Sequence, residues 1–116
     1  MFLKHISNGY TPVLPGIARK TLVHGDKTLM TEFLMEQGSQ LPEHDHPHEQ
    51  TGYLIKGRIR LVIGAAQYEV MPGDCWCIPG GVKHGAEILE DSVAIEVFAP
   101  VRGDYLPKGP PGESQS

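Results

Sequence analysis

The sequence predicts an all-β domain built as a barrel or jelly roll, and three observations carry that expectation. Apolar residues recur at every second position in several short runs. Helical periodicity is weak throughout. Glycine (14) and proline (10) are numerous enough to punctuate many short strands with tight turns. At 116 residues the chain suits one such domain with its own core.

Taken in order, residues 1–17 contain Gly9, Pro12, Pro15 and Gly16 and read as an irregular arm or edge segment. Ala18 to His24 suits a first strand, Gly25-Asp26-Lys27 a turn, and Leu29 to Glu36 a second strand. Gln37-Gly38 ends it, and Ser39 to Glu43 reads as a loop into His44-Asp45-His46-Pro47-His48-Glu49-Gln50. A strand then runs to Lys56 and is closed by Gly57. Arg58 to Ile63 follows, with Ile59, Leu61 and Ile63 alternating against the arginines. Gly64-Ala65-Ala66 turns the chain into Gln67 to Val70, and Met71-Pro72-Gly73-Asp74 turns it into a short buried strand, Cys75 to Ile78. Pro79-Gly80-Gly81 delivers His84, and Ser92 to Phe98 is the last strong strand. The domain is expected to span 1–106, with a polar, Pro- and Gly-rich tail over 107–116 that is expected to be disordered.

A net charge of −4 argues against a nucleic-acid partner, which favours a basic face. No apolar run approaches the ~20 residues of a membrane span, so no membrane partner is expected. The N-terminus lacks the long apolar core of a signal peptide, and a cytoplasmic protein is expected. Cys75 and Cys77 lie too far apart on a strand for an unstrained disulfide and are expected to fill a core layer as free thiols.

The chemistry concentrates between His44 and Gln50. Histidines at i and i+2 on an extended segment point to one side, and Pro47 then breaks the run. Two imidazoles and the Gln50 amide oxygen, joined by His84 from elsewhere, make a donor set for a divalent metal. His48 shares the parity of these ligands, but Pro47 disturbs the register and leaves it at the surface or behind them. Glu49 points away. Gly52 either leaves room beside the metal or marks a bulge. Glu96, set among Val93, Ile95, Val97 and Phe98, faces either solvent or a polar cavity. The Arg102 fork suits a substrate carboxylate, its plain alternative being a surface position. Phe98 either shapes a pocket or packs the core.

The spacing of these residues resembles a known family. Gly38, His44, His46, Gln50 and Gly57 stand at the intervals of the first motif of the cupin superfamily; Gly73, Pro79, Gly81 and His84 stand at those of the second. Gln50 replaces the usual Glu, and Ile88 the usual Asn. The resemblance implies a double-sheet jelly-roll barrel with one divalent transition metal (zinc, nickel, iron or manganese) held at its mouth by His44, His46, Gln50 and His84. The amide removes a carboxylate charge, which makes a bound ion a stronger Lewis acid and denies this position a role as general base.

The stretch from Glu96 through Phe98-Ala99-Pro100 and Arg102 to Asp104-Tyr105-Leu106 narrows the resemblance to the small pectin-degradation cupins, with Glu96 where those carry Asp. That resemblance implies ring opening and ketonisation of an unsaturated monouronate. Arg102 would hold the carboxylate of this small acidic substrate, Glu96 would move protons, and Phe98 would shape the pocket. Small cupins commonly pair through an outer sheet, so a homodimer is expected. Two other readings of the same fold stand beside it: a dioxygenase using O₂ with iron or nickel, and a non-enzymatic module that binds a sugar or a metal.

Overall fold

The computed structural model describes residues 1–106. Eight strands carry the chain: β1 (Thr11–Leu14), β2 (Ile17–His24), β3 (Leu29–Met35), β4 (Gln40–His44), β5 (Glu49–Ile63), β6 (Ala66–Val70), β7 (Cys75–Ile78) and β8 (His84–Ala99). A short 3-10 turn over Gly103–Tyr105 follows. Every strand pairing is antiparallel. The expected tail over 107–116 lies outside the described residues. No helix among the described residues is long and apolar enough to cross a membrane.

The 15-residue β5 and the 16-residue β8 pair along nearly their whole lengths and pass through two layers. Their site-end halves (Glu49 to Leu54, Val93 to Ala99) join β1, β2, β3 and β7 in the larger layer. Their other halves (Arg58 to Ile63, His84 to Glu90) join β4 and β6 in the smaller one. The two ends of β8 come back to one place, since the His84 and Phe98 rings lie 4.9 and 5.7 Å from the His46 ring. Fourteen residues of straight strand would separate them by about 46 Å. The strand is bent double.

The bend has a physical origin at Gly57. Pairing between β5 and β8 shifts register between Leu54 and Ile59, and the inward face changes from Gln50, Gly52 and Leu54 to Ile59 and Leu61. Gly57 takes φ +96°, and a Cβ there would overlap Ser92 Oγ and the Asp91 carbonyl. Buried Ser92 accepts a hydrogen bond from Arg58 N at 3.1 Å and donates to the Glu90 carbonyl at 2.7 Å, tying both strands at the corner. The sequence expectation that Gly57 ends a strand is corrected here: it bends one. The last strand likewise starts at His84, not Ser92, because β4 supplies the first half with a partner.

Between the layers, Ile17, Phe33, Met35, Leu54 and Ala94 pack against Ile59, Leu61, Val70 and Ile88. The expected alternation holds on the smaller layer, where Arg58 and Arg60 face out and pair with Glu69, Glu90 and Glu87. Exposed pairs of this kind contribute little to stability, ~0–1 kcal/mol each. Two further expectations are corrected. The segment expected to be a loop, Ser39 to Glu43, forms most of β4, since β8 offers a free edge to it and Pro42 is tolerated on that edge strand. Residues 1–17, read as an irregular arm or edge segment, contain the edge strand β1. Cys75 and Cys77 are exposed instead of filling a core layer, because Trp76 and Ile78 take the inward parity of β7.

Replacing Gly57 by Ala adds backbone strain and overlap at the corner, and should lower unfolding free energy by about 2–4 kcal/mol. Urea denaturation followed by circular dichroism checks this; an unchanged midpoint would contradict the role given to the bend.

Candidate metal centre and buried carboxyl group

Each of the three converging histidines is delivered by a different local device. His44 ends β4 and stands opposite His84, the first residue of β8. His46 lies on the loop after β4, which cannot continue as a ladder through Pro47. The Pro79-Gly80-Gly81 turn clamps that loop: Gly81 N donates to the His46 carbonyl at 2.8 Å, and a Cβ at Gly80 would overlap the Pro47 carbonyl. The glycines of the second motif thus seat the histidines of the first.

The ring orientations point to a cation. The Nδ1 atoms of His44, His46 and His84 lie 2.8, 3.0 and 2.9 Å from the carbonyls of Pro42, His48 and Val82. A carbonyl only accepts, so each proton is assigned to Nδ1 and each Nε2 carries a lone pair. One ligand atom from each ring lies within 4.8 Å of those of the other two. Buried His84 Nε2 has no hydrogen-bond partner among the described residues. His46 Nε2 faces Gln50 Oε1 at 3.0 Å, which places two acceptors against each other. In this orientation the Gln50 NH₂ donates to Glu96 Oε1 and its oxygen is left to face the imidazole. Lone pairs meeting without a proton between them fit ligands of a shared positive ion. Neighbouring donors ~2.1 Å from an octahedral ion are themselves ~3 Å apart.

Burial disfavours the charged form of His46 and His84. Desolvation, with help from the Arg102 charge, holds His46 below its usual 6.5, and desolvation does the same for His84. Neutral imidazole is the ligating form, so fewer protons compete with a metal.

Beside this cluster the larger layer presents two cross-strand rows. Ile78, Gln50 and Phe98 stand opposite one another on β7, β5 and β8, and Trp76, Gly52 and Glu96 form the neighbouring row. Glu96 is only 8% exposed, and its Oε1 accepts from Gln50 Nε2 and from Trp76 Nε1, the latter at 3.0 Å. Burial pushes this carboxyl above the ordinary range, against the pull of those donors and of Arg102. Phe98 is buried, with its ring 5.7 Å from that of His46. Arg102 follows β8 and keeps only 15% of its side chain exposed. Its guanidinium lies 5.0 Å from the Phe98 centroid and 3.9 Å from that of Tyr105, and Asp104 accepts from Nε and Nη2 at 3.2 and 2.8 Å. Trp76, Glu96, Phe98, Arg102 and Tyr105 line a cavity of about 70 Å³ that also touches His44, Gln50 and His84.

The structure therefore brings together His44, His46, Gln50, His84, Glu96, Phe98 and Arg102. His48 lies outside the cluster, its ring 5.6 Å from His46 and its carbonyl on His46 Nδ1. Gly52 serves neither of its expected purposes: a Cβ there would overlap the Trp76 indole. Trp76 carries no role in the sequence reading, and Asp104 and Tyr105 enter it only as part of the C-terminal pattern. Trp76 shares the inward parity of Ile78, which was the available signal; the other two act through a turn that has no periodicity.

A family model for the cupin domain matches residues 31–99, and the chain belongs to the cupin family. It is 31% identical over 93 residues to the pectin degradation protein KdgF of Dickeya dadantii, covering 78% of this chain and 84% of that one. The solved structure of KdgF from Halomonas sp. matches with a TM-score of 0.82 at 32% identity, over 85% of this chain and 92% of that one. An RmlC-like cupin from Shewanella frigidimarina matches in fold, with a TM-score of 0.81 at 23% identity over 90% and 97% of the two chains.

Two outcomes follow. With His46 and His84 held below 6.5, the unfolded chain binds protons first as pH falls, so the metal-free protein should keep its stability above about 6.5 and lose it in the window below. Melting temperatures between pH 7.5 and 5, with and without zinc chloride, check this, zinc raising them most near neutrality. His84→Ala should lose that zinc-induced rise; retention of it would place the ion elsewhere.

Proposed function

We propose that the protein is a metal-dependent enzyme that opens and ketonises a small unsaturated uronate, an isomerisation without net redox change. The observation that carries this reading is one cavity lined by His44, Gln50 and His84, which could help hold a metal ion, together with a buried carboxyl group and a nearly buried arginine. The similarity to two KdgF proteins, one of them described as a pectin degradation protein, supports the substrate class.

His44, His46, Gln50 and His84 would hold one divalent ion, with zinc, nickel, iron and manganese all suited to such donors. Bound there, the ion supplies Lewis acidity toward an oxygen-rich part of the substrate, undiminished by any ligand charge. Arg102 binds the substrate carboxylate. Asp104 occupies its Nε edge, while Nη1 makes no hydrogen bond among the described residues and offers the end-on edge. Phe98 backs that guanidinium and keeps water from the floor of the cavity.

Glu96 is the proton carrier. Raised by burial, it stands nearer neutrality than an exposed carboxylate and can both accept and release a proton. It takes the proton of the hemiacetal hydroxyl as the bond from that carbon to the ring oxygen breaks. The carbon becomes a carbonyl, the ring oxygen an enolate, and the enolate carbon then takes a proton to give the ketone. One proton leaves, one arrives, and no oxidant is consumed. A cytoplasmic homodimer belongs to the same proposal; the outer face of the larger layer, with Met30, Tyr53 and Ile55 exposed, supports pairing there.

Glu96→Gln should lower turnover of unsaturated uronates, followed at the enone absorbance, by at least about 10²-fold while leaving metal content unchanged. Arg102→Ala should raise KM by roughly 10- to 100-fold, the scale of a lost charge-assisted hydrogen bond. Turnover should survive removal of O₂. Loss of activity under anaerobic conditions would replace this reading with a dioxygenase, and ion binding without turnover of any uronate would leave a binding module.

A further inference from the structure

We propose that Trp76 is a positioning residue: with Gln50 it pins Oε1 of Glu96, so that Oε2 alone exchanges the proton, and Gly52 exists as the slot through which the indole reaches it. The inference rests on Glu96 being the proton carrier.

Trp76, Gly52 and Glu96 form one row across β7, β5 and β8, so Trp76 and Glu96 stand two strands apart. Backbones two strands apart are separated by about 9.6 Å, and a side chain on the middle strand ordinarily fills the gap. Glycine leaves it open. The indole lies in the space a Cβ would need and delivers Nε1–H to Glu96 Oε1 at 3.0 Å. Gln50 Nε2 reaches the same oxygen from the adjacent row. Oε2 makes no hydrogen bond among the described residues, and Glu96 lines the cavity.

This asymmetry matters because the terminal torsion of a glutamate is broad and a lone carboxyl group exchanges its two oxygens freely. Two donors arriving from different strands on one oxygen fix the plane of the group. The proton received by Glu96 then sits on Oε2, since Oε1 is engaged by two N–H donors, and it departs from Oε2 to the enolate carbon. The glutamate's extra methylene, compared with the aspartate of the resembled proteins, makes such an anchor more necessary: it adds a rotatable bond between backbone and carboxyl.

Trp76→Phe removes the N–H and keeps an aromatic ring. It should lower kcat about tenfold, equivalent to ~1.4 kcal/mol, with KM and metal content unchanged. Gly52→Ala, which displaces the indole, should produce a similar fall in kcat, and the double variant should be no worse than either single one. An unchanged kcat in Trp76→Phe, or additive losses in the double variant, would overturn the proposal. A readout independent of activity comes from the single tryptophan, which gives one indole cross-peak in a ¹⁵N–¹H spectrum. In Glu96→Ala that peak should move upfield and its proton should exchange faster; an unmoved peak would also overturn it. Retained turnover in Glu96→Gln removes the proton-carrier reading itself. Lost turnover there, with Trp76→Phe fully active, removes only the positioning role.

Discussion

Everything at the mouth of this barrel depends on the doubling back of β5 and β8. A strand brings distant residues together only if its direction reverses, and here the reversal happens without a hairpin loop. Hydrogen bonding continues through the bend, from Gln50 against Phe98 at one end to Ile63 against His84 at the other. The corner at Gly57 and Ser92 is where the ladder pays in irregularity for that continuity. Because side chains alternate, a one-residue slip of β5 against β8 would turn Gln50 out of the row it shares with Ile78 and Phe98. The site is thus specified by the same pairing that forms the core.

Gln50 links the two chemical parts of the site. Its oxygen faces His46 and its nitrogen faces Glu96, an orientation only an amide can adopt without a change of protonation. A glutamate in its place would set two buried carboxyl groups against each other from adjacent rows, where like charges resist ionising together. The amide spares Glu96 that neighbour and adds no charge to the candidate metal donors. Substitution of the usual acid in the first motif and the presence of an acid on β8 are therefore parts of one arrangement.

Much of this was legible in the sequence because it rests on local rules. Alternation at Ile59, Leu61 and Ile63, turns at Gly64 and Gly73, and the intervals linking His44, His46, Gln50 and His84 are visible without knowing any pairing. Parity also placed Glu96 and Phe98 on one face. What stayed hidden depends on which strand lies beside which. The extent of β4 follows from the edge that β8 offers, and the continuity of β5 through Gly57 follows from a bulge rather than from composition. Gly52 could be recognised as unusual, but its reason lies on β7. Cys75 and Cys77 look like core residues by type, and only the neighbouring tryptophan, with a larger claim on the interior, turns them outward.

Those two thiols sit on the back of the strand whose front carries Trp76, about 6.7 Å apart along it and on the same side. Thiolates are soft donors, so the pair offers adventitious lodging to thiophilic ions from buffers and affinity resins. Stoichiometry measured on untreated protein would then sum two unrelated populations. Iodoacetamide reaches the outward pair without entering the barrel, so alkylated material isolates the imidazole-bound fraction.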